Sequence, residues 1–510
     1  MTADAPALQT GNRASGALDQ AGRRVAARVR TVHPAAWALT AAITLWIVTF
    51  SVLVMQRQNR FWSVDFDMGI YDQAVWLLAH GRQFITVRGL PVFGHHGTFS
   101  LLLFAPAVWL GAGANFLNIV QVVVLALAAV PVYLLARERA LNPWAGAALG
   151  AAVLLHPALQ FLSWELFHPE TIALTPLLAA YLCSVRRSWR WFAFWIVLAI
   201  SCKEDIALAV IVIGLVIALR PSRRPGELRI GLFTIGAAAL WFVLVTQVML
   251  PLVSGHPAHY EGLYQGVGGS PGGIVETAFR DPGNITGRLT SSESGDFAWR
   301  LLAPFGLTGL LSPGVLLIGA PQFVLDVLSD ASWTRQITYH YAALPLLGVT
   351  VGMVEGVAWL VRRIGGIARW LLPALVLTCA LATTIAWGPS PIGAEYDQGW
   401  WAPATDSRLD AKEAAVAAIP NGASVSAGYT IVPHLSERDE IYTFPNPWRA
   451  SNWGYRDEDP RDPRTVDWIA VDRQAVGLED KALLDSILAN GNFEIVFNRD
   501  DVLVAHRVRG

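Results

Sequence analysis

The residues with the clearest capacity for chemistry stand together in one run, Asp65-Phe66-Asp67-Met68-Gly69-Ile70-Tyr71-Asp72-Gln73-Ala74-Val75-Trp76. Asp65 and Asp67 can serve as a general base or as cation ligands, or one of them caps the helix that follows. A helix from Met68 onward puts Asp72, Val75, Trp76 and Ala79 on one face. Such a helix rests at a membrane surface with tryptophan at the interface.

Four further polar groups interrupt otherwise apolar sequence: His95-His96, Phe167-His168-Pro169-Glu170, Lys203-Glu204-Asp205 and Tyr339-His340-Tyr341. Each alone reads equally well as an interfacial cap or a snorkelling side chain. Asp67, His95, His96, His168, Glu170 and His340 also form an adequate ligand set for a divalent metal, with Asp67, His96, His168 and His340 as its core. No dense spacing such as HxxxH supports a metal. Lys203, Arg88 and Arg335 supply positive charge suited to a phosphate or pyrophosphate group. No phosphate-cradling glycine loop, nucleophile elbow or Walker motif occurs, so ATP-driven chemistry has no support.

The elements that must position these groups follow from composition. Of 510 residues, 54% are hydrophobic and 15% charged. The charge is uneven: roughly 12% of residues 1–387 and roughly 26% of 388–510 are charged. The first value suits a polytopic membrane protein and the second a water-facing domain. A net charge of −1 gives no handle on a nucleic-acid backbone. Cys183, Cys202 and Cys379 all lie in apolar runs, where a small buried hydrophobe is expected rather than a disulfide.

Arginine clusters thread the membrane, because positive charge collects on the cytoplasmic side. Residues 1–35 carry Arg23, Arg24, Arg28 and Arg30 and read as a cytoplasmic tail ahead of a first span at 36–55. The runs 115–136, 170–185, 204–219 and 340–361 each end in arginines. Return spans at 144–162, 190–202, 228–250, 313–328 and 366–387, with a short inward span at 298–311, bring the expected number to eleven. Residues 98–112 then dip into the outer leaflet without crossing. The stretch 190–220 reads as two short spans, because one helix would hold Lys203, Glu204 and Asp205 in mid-membrane.

The expected fold is therefore a polytopic α-helical membrane domain over 36–387, with outer loops at 56–97 and 251–297, and an extracytoplasmic α/β domain at 388–510. The glycine- and serine-rich second loop reads as mobile. In the last domain, helices are expected at 410–419 and 481–488, strands at 424–427 and 468–471, a helical turn at Pro433, and a closing hairpin at 493–497 and 502–507. In this threading five separated segments place ionisable groups at one depth on one side, as a cavity lining would.

The segments FDMGIYDQAVW, HGRQF, TVRG, GHHGTFSLLLFAPAVWL, FHPE, CKED and TYHYAALPLLG together resemble a bacterial and archaeal membrane-protein family formerly of unknown function. That family is related to the GT-C glycosyltransferase superfamily. The resemblance covers most of residues 60–350 and implies a GT-C-like fold with its N-terminus inside. It also implies a catalytic acid in the first outer loop, at Asp67 or Asp65, and a sugar donor carried on polyprenyl phosphate. Lys203 would meet the lipid phosphate. Asp72, Gln73, Arg88, His95, His96, His168, Glu170, Glu204, Asp205, Arg335, His340 and Tyr341 would complete the substrate and lipid-phosphate site. Some members of the superfamily use a metal and others do not.

The implied reaction is an inverting displacement at the anomeric carbon. An aspartate takes the acceptor proton, and burial beside the membrane is expected to raise its proton affinity. The acceptor would be a cell-envelope glycan, lipid or protein, and the location the bacterial cytoplasmic membrane. A transporter or flippase of a lipid-linked substrate is the alternative, although no internal repeat supports it. A scaffold is a third reading, with Trp400, Trp401, Trp448 and Trp453 as a sugar-stacking surface.

Overall fold

The structure is a computed structural model describing residues 32–255, 259–450 and 461–508. The tail arginines Arg23 to Arg30 and Trp453 lie outside the described residues.

Helix α1 (Pro34–Asn59) opens on a proline at its first position, with the His33 ring accepting from the Ala35 N–H. Among the described residues, five helices are long and apolar enough to cross a membrane: α1, Ala114–Glu138, Glu227–Ser254, His340–Ile364 and Ala368–Trp387. A sixth candidate is the pair Pro143–Leu154 and Pro157–Trp164, bent by 48°. Trp189–Ile200, Ile206–Leu219 and Pro313–Leu328 are apolar but shorter. Length and apolarity thus mark five spans, or six with the bent pair, where eleven are expected from sequence. Phe233 on the helix 227–254 is 77% exposed, as a lipid-facing side chain would be.

The bend has a local cause. Pro157 restarts the helix, and His156, fully buried, accepts from the Ala158 N–H through Nδ1. Its Nε2 donates to the Leu301 carbonyl at 3.0 Å. The expected inward span 298–311 is not a continuous helix. It is the end of the helix Ser292–Leu302 followed by two 3₁₀ turns, with Gly306 and Leu307 left-handed. This irregular chain lies against the helix 343–364, where a Cβ on Gly356 would collide with the Thr308 carbonyl.

Of two further expectations, one holds and one changes. Residues 190–220 do form two helices, 189–200 and 206–219, separated by the Lys203-Glu204-Asp205 turn. The second loop is largely helical, at Pro271–Arg280, Pro282–Leu289 and Ser292–Leu302. Ser270, Asp281 and Ser291 each cap the helix that follows, which is how a polar, glycine-rich sequence gains helical order.

After a two-residue hairpin (β1 Phe84–Ile85, β2 Leu90–Pro91), the remaining strands build one mixed sheet near the C-terminus. These are β3 (Val425–Ala427), β4 (Ile441–Thr443), β5 (Trp468–Asp472), β6 (Phe493–Arg499) and β7 (Val502–Arg507), in the order β4-β3-β5-β7-β6. β3 runs parallel to β4 and β5, and β7 pairs antiparallel with β5 and β6. Helices Leu409–Ala417 and Leu478–Ala489 accompany the sheet, and a 3₁₀ turn at Val432–His434 holds Pro433. The short strand β4 had no sequence signal of its own. Apolar clusters form on both sides of the sheet, and one of them takes in Phe61 from just beyond α1. Phe61 is left-handed (φ 57°) and stacks on His434 at 3.7 Å, so the sheet unit is packed directly onto the first loop.

Candidate active site

The segment Asp65–Gly69 makes one π-helical turn before the helix Ile70–Ala79. That wider turn gives the acids of the run separate surroundings. Asp65 is buried and accepts from the Thr443 hydroxyl on β4. Asp72 is buried and accepts from the Ser436 hydroxyl at 2.6 Å. Gln73 donates to Thr86 at 2.8 Å and to the carbonyls of Arg438 and Asp439, while its own oxygen accepts from the Val87 N–H. These three residues bind the C-terminal sheet unit to the first loop. Asp67 alone of the run's acids faces open space.

That space is a cavity of about 340 Å³ at one end of the helical bundle. It is lined by Asp67, His95, His96, His168, Glu170, Lys203, Glu204, Asp205, His340 and Tyr341, so all five polar segments reach it. Asp65, Asp72, Gln73, Arg88 and Arg335 do not line it. Arg88 is buried behind Phe66, with its guanidinium 6.0 Å from that ring. Arg335 is drawn to the Glu293 carboxylate at 2.6 Å and the Ser329 carbonyl at 2.9 Å. The second loop and the helix 320–328 add Tyr264, Ser270 and Gln322, none of which the sequence had marked.

Inside the cavity the charges alternate. His168 Nδ1 donates to the Leu166 carbonyl at 2.8 Å, and Nε2 faces Asp67 Oδ1 at 3.2 Å. An ionised carboxylate only accepts, so both ring nitrogens carry protons and the pair is imidazolium–carboxylate. Burial opposes charge on His168, but Asp67 and Glu165 outweigh it and raise the ring to about 10. Burial likewise pushes Asp67 up, yet His168, His340 and Arg57 leave it below the ordinary carboxylate range. The expected rise in proton affinity falls instead on Asp65, which burial lifts to about 6. The reason is location: Asp65 is buried beside the Thr443 hydroxyl and the Asp67 carboxylate, with no cation among the groups that shift it, whereas Asp67 has cations.

Sequence reasoning missed two of the groups that set this field. Arg57, at the end of α1, donates to the Trp164 carbonyl and lies 4.3 Å over the Trp164 ring. Glu165, ahead of the Phe167-His168 turn, accepts from His340 Nδ1 at 2.9 Å. Gln121 completes the frame, accepting from the His168 N–H and donating to the carbonyls of Leu162, Glu165 and Leu166. An arginine at a span end and an acid at a helix end carry no mark that separates them from ordinary boundary residues.

The other cation is Lys203, 2.6 Å from Glu170 and 3.5 Å from Asp205. An anion entering here shares the ammonium with those two carboxylates. His96 Nδ1 pairs with Glu204 at 2.8 Å, away from His168.

The donor atoms of Glu165, His168 and His340 all lie within 4.8 Å of one another, the right residue types for a divalent ion. This group includes Glu165 in place of the expected Asp67 and His96. The rings of His168 and His340 are stacked, with centroids 4.1 Å apart and planes at 21°. Ring nitrogens direct their lone pairs within the ring plane, so two stacked rings cannot both aim at one ion about 2 Å away. The arrangement therefore does not fit a metal without one ring turning.

The helical architecture is a fold shared with solved membrane proteins. Among solved structures, ArnT from Cupriavidus metallidurans bound to undecaprenyl phosphate superposes with a TM-score of 0.51 at 14% identity, covering 93% of this chain and 98% of that one. The Archaeoglobus fulgidus oligosaccharyltransferase, solved with Zn and sulfate, gives 0.40 at 15% identity over 85% and 67% of the two chains. No curated protein sequence matches. The chain belongs to the DUF2079 family of predicted membrane proteins, whose pattern it matches over residues 57–504.

Proposed function

We propose that this protein is a membrane glycosyltransferase that moves a sugar from a polyprenyl-phosphate donor to an extracytoplasmic acceptor, a cell-envelope glycan, lipid or protein. The observation that carries this reading is the placement of Asp67: a carboxylate kept ionised by His168, with its side chain 24% exposed to a cavity of about 340 Å³. The shared fold with ArnT, itself solved with undecaprenyl phosphate, supports the choice of donor.

In this reading Asp67 is the base. It accepts the proton of the acceptor hydroxyl as that oxygen attacks the anomeric carbon and the C–O bond to the lipid phosphate breaks, inverting the centre. His168 and Lys203 offer positive charge to the departing phosphate. Asp65, bonded to Thr443 and outside the cavity, has no part in proton transfer. The cavity end and the α/β unit face outward from the cytoplasmic membrane, and the arginine-rich helix ends face the cytoplasm.

The test uses purified protein, a panel of undecaprenyl-phosphate-linked sugars, and envelope extract as acceptor. Asp67→Asn is expected to slow transfer by about 10²- to 10⁴-fold, with melting and undecaprenyl-phosphate binding unchanged. Full activity in Asp67→Asn sinks the assignment of the base. Lipid translocation in vesicles, with no transfer from any donor, replaces the reading with a flippase.

A further inference from the structure

A second cavity, of about 850 Å³, opens at the end of the bundle opposite Asp67, between the helices 174–186, 206–219, 313–328 and 343–364. Arg139, Arg187, Arg220 and Arg362 line it. Two of them are neutralised within the protein. Arg139 forks onto Glu355, Nε to Oε2 at 2.7 Å and Nη2 to Oε1 at 2.5 Å, with the Tyr181 hydroxyl adding a bond at 2.9 Å. Arg187 meets Glu227 at 2.6 Å. The other acid at the rim, Glu138, is taken by Arg186 at 2.8 Å.

The remaining two arginines make no ion pair among the described residues. Arg220 is held in place by neutral acceptors, the Ser184 carbonyl and hydroxyl, both at 3.1 Å. Arg362 stands exposed at the end of its helix. The cavity therefore keeps two positive charges after its internal pairs are satisfied. Guanidinium groups match the geometry of a phosphate better than any other side chain does.

One wall of the same cavity is apolar: Val212, Leu215, Val216 and Leu219. Leu215 and Leu219 are 42% and 68% exposed, and Leu317 across the opening is 53% exposed. A small hydrophilic anion gains nothing from that wall, whereas an amphiphile uses both parts.

We infer that this cavity binds the phosphate of an anionic membrane lipid, the headgroup between Arg220 and Arg362 and the acyl chains along the helix 206–219. Basic pockets between spanning helices on the arginine-rich side are suited to anionic headgroups. The inference is independent of the transfer reaction, since its residues lie at the other end of the molecule.

Native mass spectrometry of the full chain, with phosphatidylglycerol and phosphatidylcholine of matched acyl chains, tests it. The wild type is expected to retain phosphatidylglycerol preferentially, and the double variant Arg220→Gln, Arg362→Gln to lose that preference by about tenfold or more. Glycerol 3-phosphate, which lacks the chains, is expected to leave melting unchanged. Equal retention of the two lipids by the wild type overturns the proposal, as does an undiminished preference in the double variant. Stabilisation by glycerol 3-phosphate equal to that by phosphatidylglycerol replaces the lipid with a soluble phosphate. If the double variant does not insert, Arg362→Gln alone, at an exposed position, carries the test: a preference equal to wild type then overturns the proposal.

Discussion

Ser436 donates its hydroxyl hydrogen to Asp72 at 2.6 Å, joining residues 364 positions apart in the chain. Thr443 does the same for Asp65. The acidic run that reads as a catalytic motif therefore spends two of its three aspartates on holding the C-terminal sheet unit, and leaves only Asp67 to the cavity.

The Ser436–Asp72 bond makes a stability prediction. Ser436→Ala leaves the buried Asp72 carboxyl without its donor, at a cost of about 1–3 kcal/mol. Limited proteolysis should release the C-terminal unit sooner in this variant than in the wild type. Equal resistance would show that the contact carries no weight.

Attachment of that unit should also depend on pH. Burial raises Asp72 to about 7 and Asp65 to about 6, both above the value of 3.8 for the unfolded chain. A carboxyl whose folded pKa is raised stabilises the fold fully below its unfolded value, and that contribution is lost as pH climbs through the folded one. Hydrogen exchange in residues 425–443 should therefore be slower at pH 5 than at pH 8. The opposite order, after correction for intrinsic exchange, would exclude ionisation at these two acids as the cause.

His168→Gln keeps a polar group beside Asp67 and removes the cation. An opposite charge at this range lowers a carboxyl pKa by about one to three units, so Asp67 should titrate higher without it. In the proposed reaction the acid limb of the rate profile should move to higher pH by a similar amount. A limb that stays in place would detach His168 from the ionisation of Asp67.

Stacking of His168 on His340 predicts that transfer survives prolonged treatment with EDTA, because both rings keep their hydrogen-bonded positions without an ion. Loss of activity on chelation, restored by Zn²⁺ or Mn²⁺, would require one ring to turn and would make Glu165, His168 and His340 a metal site.

Much of this protein is written in local sequence. A run of about 20 apolar residues bounded by arginine must cross or line a membrane whatever surrounds it, and the long spans follow from such runs. The five polar segments of the cavity were legible for the same reason, since ionisable groups stand out in apolar sequence. Tertiary structure alone decided among Asp65, Asp67 and Asp72. Their separation along the chain is a few residues, but their partners come from β4, from the Phe167-His168 turn and from Ser436. Arg57 and Glu165 entered the site in the same way, through contacts with groups more than 100 residues distant, 107 to Trp164 and 175 to His340. A side chain's type sets what it can do, but its charge state is set by the field of its neighbours, and that field exists only in the folded chain.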